Sequence, residues 1–169
     1  MRRHFQMFAN YNRWANGRVY DACGDLSDEE YRADKGAFFG SAHHTLNHLL
    51  VADRIWMKRI TGSGEAPNAL DTVLFEDFEA LRQARITEDR RLIDFAEQLD
   101  DEQLARPFTY RPVSNPVPIT QSLAPVLTHV FNHQTHHRGQ VHAILTTLGK
   151  PSLVLDLIHF LRSEGQAWM

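Results

Sequence analysis

The chain has 169 residues, 43% of them hydrophobic and 23% charged, a composition that suits one soluble globular domain over residues 1–169 and argues against intrinsic disorder. Eighteen Lys and Arg against 21 Asp and Glu leave a formal net charge of -3, without the basic excess that phosphate-backbone binding needs, so nucleic acid is not an expected partner. One cysteine, Cys23, beside ten histidines excludes a disulfide framework, a Cys-x-x-Cys redox pair and any all-cysteine metal site; a bound metal would have to be held mainly by nitrogen.

Met1-Arg2-Arg3-His4-Phe5-Gln6 carries charge, but no apolar signal region follows it. The longest apolar stretches, around His48–Ala52 and Leu153–Leu161, fall short of the about 20 residues of a spanning helix. The expectation is a cytoplasmic protein with no membrane association.

A first helix is predicted from about Arg3 to Cys23, ended by Gly24 as its C-cap. Phe5, Phe8, Tyr11/Asn12, Ala15, Val19 and Ala22 recur at helical spacing as its buried stripe. Ser27-Asp28-Glu29-Glu30 reads as a capping box that opens a short helical turn. A second long helix should cover about Ser41 to Ile60, with Leu46, Leu49, Ala52, Ile55, Trp56 and Ile60 on its broad apolar face and Gly62-Ser63-Gly64 as its stop. The loop to about Phe75 carries no strand pattern.

A third helix, about Phe75 to Leu99, is polar outside Phe78, Leu81, Leu92, Phe95, Ala96 and Leu99. Four prolines between Arg106 and Pro118 exclude a helix there. Phe108-Thr109-Tyr110 is a candidate edge strand, followed by a turn at Ser114-Asn115-Pro116. The fourth long helix should start near Ser122 or Pro125 and end at Leu148, closed by Gly149 and Pro151, with a short last helix over about Leu155 to Arg162. The fold class is all-α: a four-helix bundle with short extra helices and a proline-rich irregular connection before the last long helix.

Five of the histidines, His129, His133, His136, His137 and His142, lie within 14 residues of the fourth helix. Its apolar stripe runs Val126, Val130, His133, His137, Val141, Ile144, Leu148, which places His133 and His137 one turn apart on the face that looks into the bundle. An i, i+4 pair can bring two imidazole nitrogens onto one ion. His48 lies at the edge of the apolar face of the second helix. Three inward histidines from two helices would form a three-nitrogen site with at least one position left for water. Satisfied core histidines are the plain alternative, but each buried imidazole without a partner costs about 1–3 kcal/mol, and a shared ion would satisfy both members of the pair. No His-Glu-x-x-His, phosphate-binding glycine loop or Gly-x-Ser-x-Gly elbow occurs. Trp14, Trp56 and Phe131 read as core, and Asp53-Arg54 and Arg138 as surface or interhelix ion pairs.

Tyr11-Asn12-Arg13-Trp14-Ala15-Asn16, Thr45-Leu46-Asn47-His48 with Asp53-Arg54-Ile55-Trp56, and the block from His129 through His133-Gln134-Thr135-His136-His137-Arg138-Gly139-Gln140 to Val141 together resemble the DinB family, part of the wider DinB/YfiT-like metalloenzymes. The likeness runs from about Phe5 to Leu161. It implies a four-helix bundle that holds a divalent ion through His48, His133 and His137, and a homodimer. His44 and His136 are alternative ligands, His129 is better placed beside the site, and Gln140 could orient a bound water. Members of the wider group that look similar at this site include transferases of low-molecular-weight thiols. The implied function is a metal-dependent enzyme acting on a small-molecule substrate, a thiol S-transferase or a hydrolase, with zinc, nickel or iron and a low-molecular-weight thiol as co-substrate. The rival reading is a non-catalytic, stress-related binding bundle with a structural ion.

Overall fold

The computed structural model describes residues 1–113, 115 and 117–169. The expected turn at Ser114-Asn115-Pro116 therefore falls largely outside the described residues. Four long helices, α1 (Arg2–Gly24), α3 (Ala42–Thr61), α4 (Phe78–Gln98) and α6 (Leu123–Thr147), form the body of the molecule. Short helices α2 (Asp28–Arg32), α5 (Asp101–Ala105) and α7 (Leu157–Arg162) and a final 3-10 turn, Gln166–Trp168, fill the connections. Each long helix packs on two others in the cycle α1–α4–α3–α6, so four apolar stripes close on one another. The mostly helical bundle read from the sequence is the observed fold.

Local chemistry sets the boundaries. Ser27 caps α2 in the expected capping box, with its Oγ accepting from Glu30 N–H and Glu30 reaching back to Ser27 N–H. Ser41 caps α3, accepting from His44 N–H at 3.2 Å. Gly62 ends α3 at φ 71°, a left-handed conformation that suits glycine, with its N–H on Lys58 O. Gly24, expected to cap α1, instead forms its last helical residue; Asp25 is the cap, at φ -87°. The start of α4 moves to Phe78, because the carboxylate of Asp77 accepts from Ala80 N–H and fixes the entry there. The last short helix starts at Leu157 rather than Leu155, after an extended segment.

Two elements were not expected. Asp100 and Gln103 form a second capping box, which opens α5. Strand β1 (Pro107–Tyr110), anticipated as an edge strand, pairs antiparallel with β2 (Ile119–Ser122), in the register Pro107↔Ser122 to Tyr110↔Ile119. Leu123 thus begins α6, directly from the strand. No described helix is long and apolar enough to cross a membrane.

The core has an apolar part and a polar layer. Val19, Leu46, Leu50, Leu81, Val141 and Leu145 meet in one cluster, and Phe5, Ala9, Ile93, Val126 and Leu127 in another. Between α1, α3, α4 and α6 lies a layer of buried polar groups. Arg85 on α4 donates to Asp53 at 2.7 Å and lies 3.1 Å from Asp89. Asp89 also accepts from Asn12 and Asn16. Arg138 on α6 donates to the amide oxygens of Asn12 and Asn16. Asp53 is thus an interhelix partner but a buried one, and Arg138, expected in an ion pair, is held by amides in the interior. Trp14 is core as expected, while Trp56 is half-buried.

Candidate metal centre

Helices α3 and α6 pack on each other, and the histidine spacing decides what meets there. His48 comes from α3, and His133 and His137, one turn apart, from α6. One ring nitrogen from each of the three lies within 4.8 Å of the other two. His48 Nε2 and His133 Nε2 are 3.2 Å apart, close to the edge of a tetrahedron built on metal–nitrogen bonds of about 2.0–2.1 Å, about 3.3 Å. The rings pack in mutual contact, with centroids 5.1 Å apart for His48–His133, 4.6 Å for His48–His137 and 4.4 Å for His133–His137. Among the described residues, no other histidine, cysteine or carboxylate joins this group.

Neighbouring groups orient two of the rings. His48 Nδ1–H donates to the Leu70 carbonyl at 2.8 Å, and His137 Nδ1–H donates to Gln140 Oε1 at 2.7 Å. In both rings the proton on Nδ1 leaves an Nε2 lone pair free for a cation. Gln140 thus engages His137 itself; its Nε2 also donates to His136 at 3.3 Å. The Leu70 carbonyl belongs to the loop after α3, which Asn47 holds in place. Asn47 Oδ1 accepts from Leu74 N–H at 2.8 Å and Phe75 N–H at 3.0 Å, and its Nδ2 donates to Phe75 O. On the other side Phe39 stacks on His48 at 3.9 Å between centroids. It is set there by a tight turn in which Gly40, at φ 76°, donates to Ala37 O.

The surroundings keep the imidazoles neutral. Burial, followed by the proximity of His137 and His48, holds His133 far below the usual histidine range, at about 3. Burial takes His137 down to about 4, with the Gln140 hydrogen bond opposing it, and lowers His48 as well. Neutral imidazoles are the form that binds metal. The donor set, its convergence and its protonation state therefore fit a borderline divalent cation.

The other candidates stand apart. His44 is exposed and hydrogen-bonded to Ser41, 2.9 Å from its hydroxyl. His136 is exposed beside Gln140. His129 borders the centre, 5.7 Å from the His133 ring and 5.4 Å from Trp56. Sequence reasoning missed the Leu70 carbonyl, Phe39 and Asn47. A backbone acceptor leaves no signature, but Asn47 stands beside His48 in Thr45-Leu46-Asn47-His48, and that adjacency was the available clue.

A helical bundle with three converging neutral imidazoles, two of them oriented by hydrogen-bond partners, fits the class of metal-binding helical bundles. The profile of the DinB family matches residues 1–168, and the chain belongs to that family. It is 28% identical over 152 residues to "Protein DinB" of Bacillus subtilis (strain 168), covering 86% of this chain and 87% of that one.

Proposed function

We propose that the protein is a metal-dependent enzyme in which His48, His133 and His137 ligate one divalent cation, zinc, nickel or iron, and leave a coordination position for a small-molecule substrate. The observation that carries this reading is the convergence of three neutral imidazole nitrogens within 4.8 Å, with no fourth protein ligand among the described residues. When bound, such a cation acidifies its water to a pKa of about 7 or holds a thiol as thiolate. The chain's own groups do the remaining work. Leu70 O and Gln140 Oε1 fix the Nδ1 protons of His48 and His137, and Phe39 shields one face of His48.

The reaction class proposed is thiol S-transfer or hydrolysis. The only cysteine, Cys23, is buried in the apolar cluster between the helices and is not part of the three-histidine group, so any reacting sulfur comes from a low-molecular-weight thiol co-substrate. We further propose that the chain folds as one domain and works in the cytoplasm as a homodimer, as its family resemblance implies.

The test is elemental analysis of untagged protein purified without a nickel column, followed by cobalt substitution. About one ion per chain is expected, lost in His133→Ala and His137→Ala, with a cobalt spectrum that shifts when a small thiol is added. Full metal retention in both variants would overturn the ligand assignment. Loss of folding on chelation, with a cobalt spectrum that no small ligand perturbs, would instead make the ion structural.

A further inference from the structure

The side of α6 turned away from His133 and His137 carries a concavity of about 580 Å³, between α1, α6 and the extended segment before α7. That size is in the range of small-molecule sites. The segment is tied down like a strap: Tyr11 Oη donates to Leu155 O at 2.7 Å, and Leu153 N–H donates to His142 Nε2 at 3.1 Å. Aromatic rings form one wall. Phe8 and Phe131 stack at 5.8 Å between centroids, and Phe5 lies 6.4 Å from Phe131 at an interplanar angle of 25°. Leu153, Leu155 and Leu157 add aliphatic surface. Asn132 is an exposed amide on the lining; Asp156 and the buried Arg138, held by Asn12 and Asn16, are of opposite sign, and the imidazoles of His4 and His142 also line the wall.

Gly139 supplies an independent observation. It lies in the interior of a 25-residue helix, where glycine is unfavourable relative to alanine. Neither usual compensation is present: its φ is not positive, and a Cβ built there would meet nothing within 4 Å. No packed neighbour requires the missing side chain, yet its absence keeps the wall of this cavity open.

We infer that the cavity is a ligand site separate from the histidine centre, for a neutral aromatic compound with one or two hydrogen-bonding groups. Stacked rings and leucines favour a flat apolar body. The balanced charges of Arg138 and Asp156 favour neither an anion nor a cation, and the Asn132 amide offers both a donor and an acceptor.

The test uses the full chain and N-phenyl-1-naphthylamine, a neutral aromatic amine whose fluorescence rises in apolar sites. Saturable binding at one site per chain is expected, unchanged by EDTA, and displaced by 1-naphthol at least tenfold more effectively than by naphthalene-1-carboxylate or 1-naphthylmethylammonium. Gly139→Leu should fill the cavity, weaken probe binding at least tenfold, raise the melting temperature and leave the metal content unchanged. Asn132→Trp, two turns away on the same wall, should block the site as well. Probe binding of unchanged strength in both variants overturns the assignment. So does an absence of probe binding accompanied by conversion of a dimer to a monomer in Gly139→Leu, which would make the face an interface between copies.

Discussion

Gln140 sits one turn beyond His137, and its amide divides its work: the oxygen accepts from His137 Nδ1–H and the nitrogen donates to His136. Outer partners of this kind typically affect metal affinity by about 10–100-fold. Gln140→Met, similar in shape but a poor acceptor, should therefore weaken metal binding about tenfold, whereas Gln140→Glu should preserve it; competition against a chromophoric chelator reads both. Equal affinity in the Met variant would remove Gln140 from the centre. The neutral imidazoles also set a pH response. His133 and His137 have folded pKa values of about 3 and about 4, below the about 6.5 of an unfolded histidine. The unfolded chain then binds more protons between those limits, so the stabilising contribution is complete above about pH 6.5 and is lost as pH falls toward about 4. Metal-free protein should show a melting temperature that drops across that window, and the drop should be shallower in His133→Gln/His137→Gln. Parallel curves would show that the two rings do not titrate as described.

At the scale of elements, α3 does more than carry His48. Through Asn47 it also holds the loop whose Leu70 carbonyl orients that histidine. Asn47→Leu keeps the branched shape but leaves Leu74 and Phe75 N–H without their acceptor, at a cost of about 2 kcal/mol. The variant should lose that stability in urea denaturation, exchange its amides at 74 and 75 faster, and bind metal more weakly. Protection at 74 and 75 equal to the parent would sink this account. The long helices and the His48–His133–His137 grouping were legible in the sequence because 3.6-residue periodicity and the i, i+4 spacing are local signals. The strand β2 was not: Ile119-Thr120-Gln121-Ser122 lies between the last proline and the expected helix start near Ser122 or Pro125, and only pairing with Pro107–Tyr110 marks it as a strand. Helix α5 left a signal, Asp100 with Gln103, but it is only five residues long. The contact of Gln140 with His137 was not legible because spacing gives reach and not direction; from one turn away its amide could serve a water or the imidazole, and only the structure shows it on the ring.

Across the whole molecule, the polar layer joins all four long helices, and it gives four of the motif residues that carry no metal, Asn12, Asn16, Asp53 and Arg138, a shared role. Asn12 and Asn16 from α1, Asp53 from α3, Asp89 and Arg85 from α4 and Arg138 from α6 are all buried. Asp53 and Arg138 read from the sequence as surface or interhelix ion pairs, because their partners lie far along the chain and leave no local signal of burial. Arg85 is the hinge of the charge balance. Burial opposes its charge, but Asp89 and Asp53 outweigh that and keep the guanidinium protonated. Asp89 is the converse case: burial raises its pKa even against the pull of Arg85. Replacing Arg85 with Met removes the cation and keeps much of the volume, so Asp53 and Asp89 stay buried without their main counter-charge. Breaking a buried pair in this way costs about 3–5 kcal/mol. The sign of the pH dependence follows, because the folded pKa of Asp89 rises further in the variant while its unfolded value stays near about 3.9. An acid whose folded pKa is raised contributes a penalty that grows as pH climbs from the unfolded value to the folded one and is complete above it. Arg85→Met should therefore be closer to the parent in urea denaturation at pH 5 than at pH 8. A loss of the same size at both pH values would mean that the cost is packing alone and that the layer is not organised by charge.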